Sequence, residues 1–184
     1  VFNVKEDHKN EFMSWVKTII FAFILVFVCR QFLFTPITVK GESMSPTFED
    51  NQKVVISKTS KIERFDIVVF KSPNMKDNYI KRVIGLSGDK IEVKDDVLYI
   101  NGKAYEEPYL KANKEKILFG QLTEDFTLEQ NTESSRVPEG YYFVMGDNRL
   151  QSYDSRMFGF IAKDELLGEV KLRVYPLGRS GIIK

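Results

Sequence analysis

Tyr79-Ile80-Lys81-Arg82-Val83-Ile84-Gly85 is the stretch whose reading decides how this 184-residue chain folds. Its aromatic and β-branched residues favour a pleated backbone, and a period of two puts Tyr79, Lys81 and Val83 on one face and Ile80, Arg82 and Ile84 on the other. Each face then carries one cation among apolar neighbours. Outward from it, residues 37–40, 53–57, 66–71, 141–145 and 169–175 show the same extended pattern. Residues 90–94 and 97–100 flank Asp95-Asp96, and Asn101-Gly102 leads into 103–105, the marks of a hairpin or three-strand meander. Residues 163–167 are the one modest helical turn. Periodicity is lost and charge is dense over about 106–138, which reads as an inserted excursion. The body is therefore mainly β.

An ammonium on an apolar strand face is costly to desolvate, so its pKa falls from the usual value of about 10.4. Lowering it by about three would mean about 4 kcal/mol of disfavoured charge, which a well-packed fold can absorb. Neutral lysine is a general base near neutral pH. The other reading, in which Lys81 snorkels from a half-exposed strand, stays open on these residues alone.

Composition narrows the chemistry. Lys and Arg number 27 against 26 Asp and Glu, and no basic block occurs, so a nucleic-acid surface is not expected. The only histidine, His8, lies in the charged tail before the apolar run and the only cysteine, Cys29, inside that run, which argues against a Ser-His-Asp triad or a Cys-His dyad; single copies exclude a multi-histidine metal site and an intrachain disulfide. No metal and no cofactor are expected. Any catalysis falls to Ser, Thr, Lys, Asp, Glu or Tyr.

Residues 18–29 contain no charge, too few for the roughly 20 that cross a bilayer. Phe12, Met13, Trp15 and Val16 extend the run on one side and Phe32, Leu33 and Phe34 on the other, while Lys17 and Arg30 can snorkel. A cleavable leader is disfavoured because Arg-Gln-Phe-Leu-Phe-Thr-Pro after Cys29 offers no small-x-small site. The expected organisation is a short tail over 1–11, a transmembrane anchor over 12–34 in a lipid bilayer, and a β-rich body over 35–184. Flanking charges do not decide the orientation.

Two further clusters accompany the strand. In Gly41-Glu42-Ser43-Met44-Ser45-Pro46-Thr47-Phe48, Pro46 and Gly41 make a bend with Ser43 at its turn and Met44 as an apolar anchor. A solvated turn is the plain alternative. Gly146-Asp147-Asn148-Arg149-Leu150-Gln151-Ser152-Tyr153-Asp154-Ser155-Arg156 follows an expected strand and suits a hydrogen-bonded loop that positions a side chain from elsewhere, or a solvated turn with surface ion pairs.

These three clusters, in this order behind an anchor, resemble the boxes of the type I signal peptidases, and in particular the compact bacterial members of Gram-positive type. The resemblance spans the chain to about Tyr175. It implies an antiparallel β catalytic body of the Ser-Lys type shared with SOS-repressor-like self-cleaving proteins. It implies a serine endopeptidase in which Ser43 is the nucleophile and neutral Lys81 the base, with Ser152 hydrogen-bonding and aiming the Lys81 amine. Asp154 and Arg156 would hold the last box by an ion pair, with Asp147 and Arg82 as lesser supports. The Ser43 N–H would serve the oxyanion hole; where some members place a Ser donor two residues before the nucleophile, this chain has Gly41.

The implied partners are secretory preproteins with small residues at −1 and −3, cleaved after small-x-small and bound as an extended strand. Ile37, Val39, Met44, Tyr79 and Ile80 are the expected substrate-binding walls, and Phe32, Leu33, Phe34 and Phe48 could dip into the membrane interface. The resemblance also implies a single-pass protein of the cell membrane with its body outside the cytoplasm. Two other readings compete: a self-cleaving regulator, and a silent membrane-tethered β-module that binds extended peptides.

Overall fold

The computed structural model describes residues 4–28, 33–72 and 77–183, so Cys29, Arg30 and Phe32 of the anchor reading lie outside the described residues. Helix α1 (Val4–Val28) has 25 residues and is therefore about 38 Å long, enough to cross a hydrocarbon layer of about 30 Å. Its window Glu11–Val28 has a mean hydropathy of 1.9 and none of it is buried against the protein, which makes it a candidate span. The helix already begins at Val4. The charged stretch expected as a separate tail is thus continuous with the apolar run, in keeping with its helix-favouring Lys and Glu residues.

The strands are β1 (Phe34–Thr38), β2 (Lys53–Ser57), β3 (Ile67–Lys71), β4 (Asn78–Gly85), β5 (Ile91–Lys94), β6 (Val97–Ile100), β7 (Lys103–Tyr105), β8 (Phe126–Thr127), β9 (Tyr141–Met145), β10 (Ile161–Ala162), β11 (Leu166–Tyr175) and β12 (Gly181–Ile182). The larger sheet runs β1-β2-β11-β3-β4-β9-β10 with β12 on β11, the smaller one β7-β6-β5-β8. The strand pairs are antiparallel. The meander is β5-β6-β7, and both its turns use left-handed backbone: Asp95 and Asp96 at φ 51° and 61°, Asn101 and Gly102 at 53° and 79°. That is the geometry whose twist matches the strands it joins.

Two expected elements shift. The first strand is Phe34–Thr38, not 37–40, because its register with Lys53–Ser57 pairs Phe34 with Ser57 and Thr38 with Lys53. The helical turn at 163–167 is only a 3₁₀ turn, Lys163–Glu165; Leu166 and Leu167 already belong to β11, since Leu166 pairs with Phe70.

β4 is the inner strand around which the body packs. Every residue from Ile80 to Gly85 is buried. Ile80 belongs to the cluster of Val39, Met44, Phe48, Val54 and Ile56, Val83 to that of Val68, Phe70 and Val144, and Ile84 to that of Ile91, Leu98, Phe143 and Met145. A side chain on this strand has core on whichever face it takes. Two cations on it must therefore find partners or lose charge.

The excursion between β7 and β9 holds a 3₁₀ turn (Pro108–Leu110), α2 (Lys111–Lys114), β8 and α3 (Leu128–Thr132). A capping box closes the start of α3, with Thr127 N donating to Gln130 Oε1 at 2.8 Å. The excursion folds back onto the rear of the loops described next.

Candidate active site

The serine loop, residues 39–52, joins β1 to β2. Met44 and Phe48 are fully buried, so the bend is nailed into the core on both sides of Pro46 while Ser43 stays half-buried. Phe48 therefore has no surface to offer a membrane, whereas Leu33 and Phe34 remain exposed. Gly41 sits at φ +78°, with its N–H donating to Asp50 Oδ1 at 2.8 Å. A serine here would be held in left-handed backbone, so glycine at this point suits the bend and not a side-chain donor. Among the described residues the Ser43 N–H donates no hydrogen bond.

Lys81 Nζ lies 2.7 Å from Ser43 Oγ. Lys81 is 4% exposed, and its amine faces the Tyr79 ring, 5.2 Å from the centroid. Burial pulls its pKa down from 10.5 to about 8, while the carboxylates of Asp154 and Asp147 pull it back up. Near pH 8 the side chain is therefore poised between ammonium and amine, and a fraction is already neutral below that.

A buried polar frame surrounds the pair. Arg82, on the other face of β4, meets Asp147 twice, Nε to Oδ1 at 2.9 Å and Nη2 to Oδ2 at 2.7 Å, and Thr47 Oγ1 donates to the same carboxylate at 2.5 Å. Asp154 accepts from Arg156 Nε at 2.9 Å and from the Gly146 N–H at 2.9 Å. Asn148 donates its N–H to Ser43 O at 3.0 Å and its Nδ2 to Glu42 O at 3.2 Å. The last box thus grips the serine loop through its backbone.

Gly146 is where the two loops touch. A Cβ on it would fall 2.2 Å from Ser152 Oγ and 2.4 Å from Ser43 O, distances no real side chain tolerates. The cavity before the pair, about 280 Å³, lies between Lys40–Ser43 on one side and Asn78–Lys81 on the other, with Gln151 and Tyr153 at its rim. A larger hollow of about 450 Å³ lies elsewhere, beside Lys58 and Lys163, and neither Ser43 nor Lys81 lines it. Among the described residues no group of three His, Cys, Asp or Glu could hold a metal.

The family model described as "Signal peptidase, peptidase S26" matches residues 12–175. The chain belongs to this family. It is 49% identical over 159 residues to Signal peptidase I of Bacillus caldolyticus, covering 84% of this chain and 87% of that one. Against Signal peptidase IB of Staphylococcus aureus the identity is 42% over 176 residues, 91% of this chain and 92% of the relative. A crystal structure of a signal peptidase I from Enterococcus faecalis, 47% identical, superposes with a TM-score of 0.58 over 60% of this chain and 97% of the other. The mainly antiparallel β fold and the serine-endopeptidase class expected of the type I signal peptidases both hold for this family member.

Within this signal peptidase chain Ser43 and Lys81 meet, and Asp147, Arg82, Asp154 and Arg156 pair with each other behind them. The Arg82–Asp147 pair, expected to be the lesser support, is the more deeply buried of the two, with side chains 5% and 0% exposed. Ser152 departs from expectation. Among the described residues its buried hydroxyl has no hydrogen-bond partner, and the side-chain bond of the Lys81 amine goes to Ser43. Of the expected substrate walls, Tyr79 and Ile80 line the cavity. Val39 and Met44 are core residues, and Ile37 packs on the same cluster.

Four residues of the frame were not singled out from sequence. Arg149, whose Nε donates to Gly146 O at 3.1 Å, is ion-paired with Glu107 and bonded to Thr123 Oγ1 at 3.2 Å. Asn113 bonds both loops. The available hint was a charged pair, Glu106-Glu107, just before Pro108, and an arginine inside the last box.

Proposed function

We propose that the chain is a membrane-anchored endopeptidase that removes signal peptides from exported preproteins with Ser43 as nucleophile and Lys81 as general base. The observation that carries this reading is the 2.7 Å approach of a largely buried lysine amine, its pKa lowered to about 8, to a serine hydroxyl.

Neutral Lys81 accepts the proton of Ser43 Oγ as the oxygen bonds to the scissile carbonyl carbon. The carbonyl oxygen becomes an oxyanion, for which the Ser43 N–H is an available donor. Collapse breaks the C–N bond, and Lys81 returns the proton to the departing amine. The acyl group is left on Ser43. Water then attacks the ester carbonyl, Lys81 takes its proton, and that proton restores the Ser43 hydroxyl as the acid leaves. Asp147 and Asp154 moderate the amine's pKa from a distance, and Ser152 is a candidate to orient it during turnover.

The substrate fits as an extended strand between Lys40–Ser43 and Asn78–Lys81, with short side chains entering a cavity of about 280 Å³. The preference for small residues at −1 and −3 follows from the family reading and not from this volume. With α1 in the bilayer and the body outside the cytoplasm, peptidase and leader meet at one surface. The test is the full chain in detergent micelles with a peptide carrying Ala-x-Ala before the cut. Cleavage is expected after the second Ala and absent in Ser43→Ala. Normal turnover by Ser43→Ala refutes the assignment.

A further inference from the structure

The excursion supplies no reacting group, yet it sends one amide into the gap between the two catalytic loops. Asn113, on α2, is 9% exposed. Its Nδ2 donates at 2.9 Å to Ser45 O and at 2.9 Å to Asp147 O, using both of its hydrogens. No other donor among the described residues reaches either carbonyl.

Ser45 lies two residues past the nucleophile, and Asp147 lies next to both Gly146 and Asn148, which touch the serine loop. Glu42 O and Ser43 O are held from one side by Asn148, and Ser45 O is held from the other by Asn113. The bend that aims Ser43 is thereby gripped before and after the reacting residue. Neither partner of Asn113 belongs to a strand or to the apolar core, so its two bonds serve the alignment of the loops.

We propose that Asn113 is a positioning residue that keeps the Ser43 hydroxyl in register with Lys81, and that the excursion acts as a brace for the nucleophile. The inference rests on the Ser43/Lys81 reading. Without the amide, the buried Asp147 carbonyl and the half-buried Ser45 carbonyl lose their donor and the loops move apart until water reaches them. The hydroxyl then leaves the line of attack, and a misplacement of about 1 Å costs about 100-fold.

The experiment compares full-length Asn113→Asp, which keeps the side chain's shape but loses the donors when ionised, Asn113→Ala, and Lys114→Ala as a neighbour on the same helix. Each is melted, then assayed below its midpoint on the Ala-x-Ala peptide. The expected result is kcat down about 10- to 100-fold in both Asn113 variants with KM within about twofold of the parent, and Lys114→Ala at parental values.

Parental kcat in folded Asn113→Asp overturns the proposal. So does a loss that vanishes when rates are scaled to the folded fraction, or a change confined to KM. Loss of the fold in both Asn113 variants also overturns it, because the residue would then belong to the scaffold. Ser43→Ala in the same assay separates the two levels. If it still cleaves, the dyad reading fails; if it is silent while Asn113→Asp is normal, only the brace fails.

Discussion

Lys81 and Arg82 are neighbours on β4, both almost wholly buried, and their faces could hardly differ more. The Lys81 ammonium makes one hydrogen bond, to a serine, and lies beside an aromatic ring; its charge is poorly supported and its pKa sinks to about 8. Arg82 has two bonds to Asp147, one to Phe65 O at 2.8 Å, and the Tyr109 ring 3.9 Å from its guanidinium carbon. One cation is left short of partners and can give up its proton. The other is bonded through all three of its nitrogens and holds the strand to the last box. On the proposed reading, the alternation of a single strand separates reactivity from structure by one residue.

The largest effect that can break this comparison is kinetic. Lys81→Met is expected to lower kcat/KM by at least about 10²- to 10⁴-fold, and Lys81→Arg to do no better, since a guanidinium does not deprotonate in this range. Recovery of activity in Lys81→Arg would show that a proton acceptor is not what this face supplies. On the opposite face, Asp147→Ala strips Arg82 of its carboxylate and is expected to destabilise the fold by about 3–5 kcal/mol, read by denaturant titration. A change below about 1 kcal/mol would make the pair dispensable.

Next in size is a gain. Because the folded pKa of Lys81 is lowered from 10.5 to about 8, the unfolded chain binds more protons between those values, and stability rises with pH across that window. Below about pH 8 the cost of a buried ammonium is present in full, so Lys81→Met is expected to be more stable there by up to about 3 kcal/mol. The advantage should fade toward pH 10.5. The same titration predicts an acid limb of kcat/KM near pH 8 for the parent protein. A limb well below pH 7 would mean that another group is the base. Smallest is Ser152→Ala, expected to lower turnover yet leave activity, with stability nearly unchanged because the hydroxyl it removes has no partner. Full activity would remove Ser152 from the site.

Much of this was legible because strand alternation is a local signal. Residues 79–84 announced their two faces, and the serine and last boxes announced bends through Gly and Pro. The rest depended on contacts that no local pattern encodes. Asn113 reaches partners 68 and 34 residues away, and Arg149 reaches Glu107 across 42, out of a stretch without periodicity. Val39 and Met44 looked like cavity walls beside Ser43, but apolar side chains flanking a bend are as readily drawn inward to a core, and these two were. Ser152 shows the converse limit, since a sequence box names a residue without fixing which way its hydroxyl turns in the resting enzyme.

The contact at Gly146 has a consequence for how the protein comes of age. Ser43 lies in the first quarter of the chain, while the residues that seat its backbone arrive more than a hundred positions later. Closing so long a loop is slow compared with forming the early hairpins. On the proposed Ser43/Lys81 reading, the nascent polypeptide is expected to carry an unarmed hydroxyl until the segment around Gly146 and Asn148 has docked.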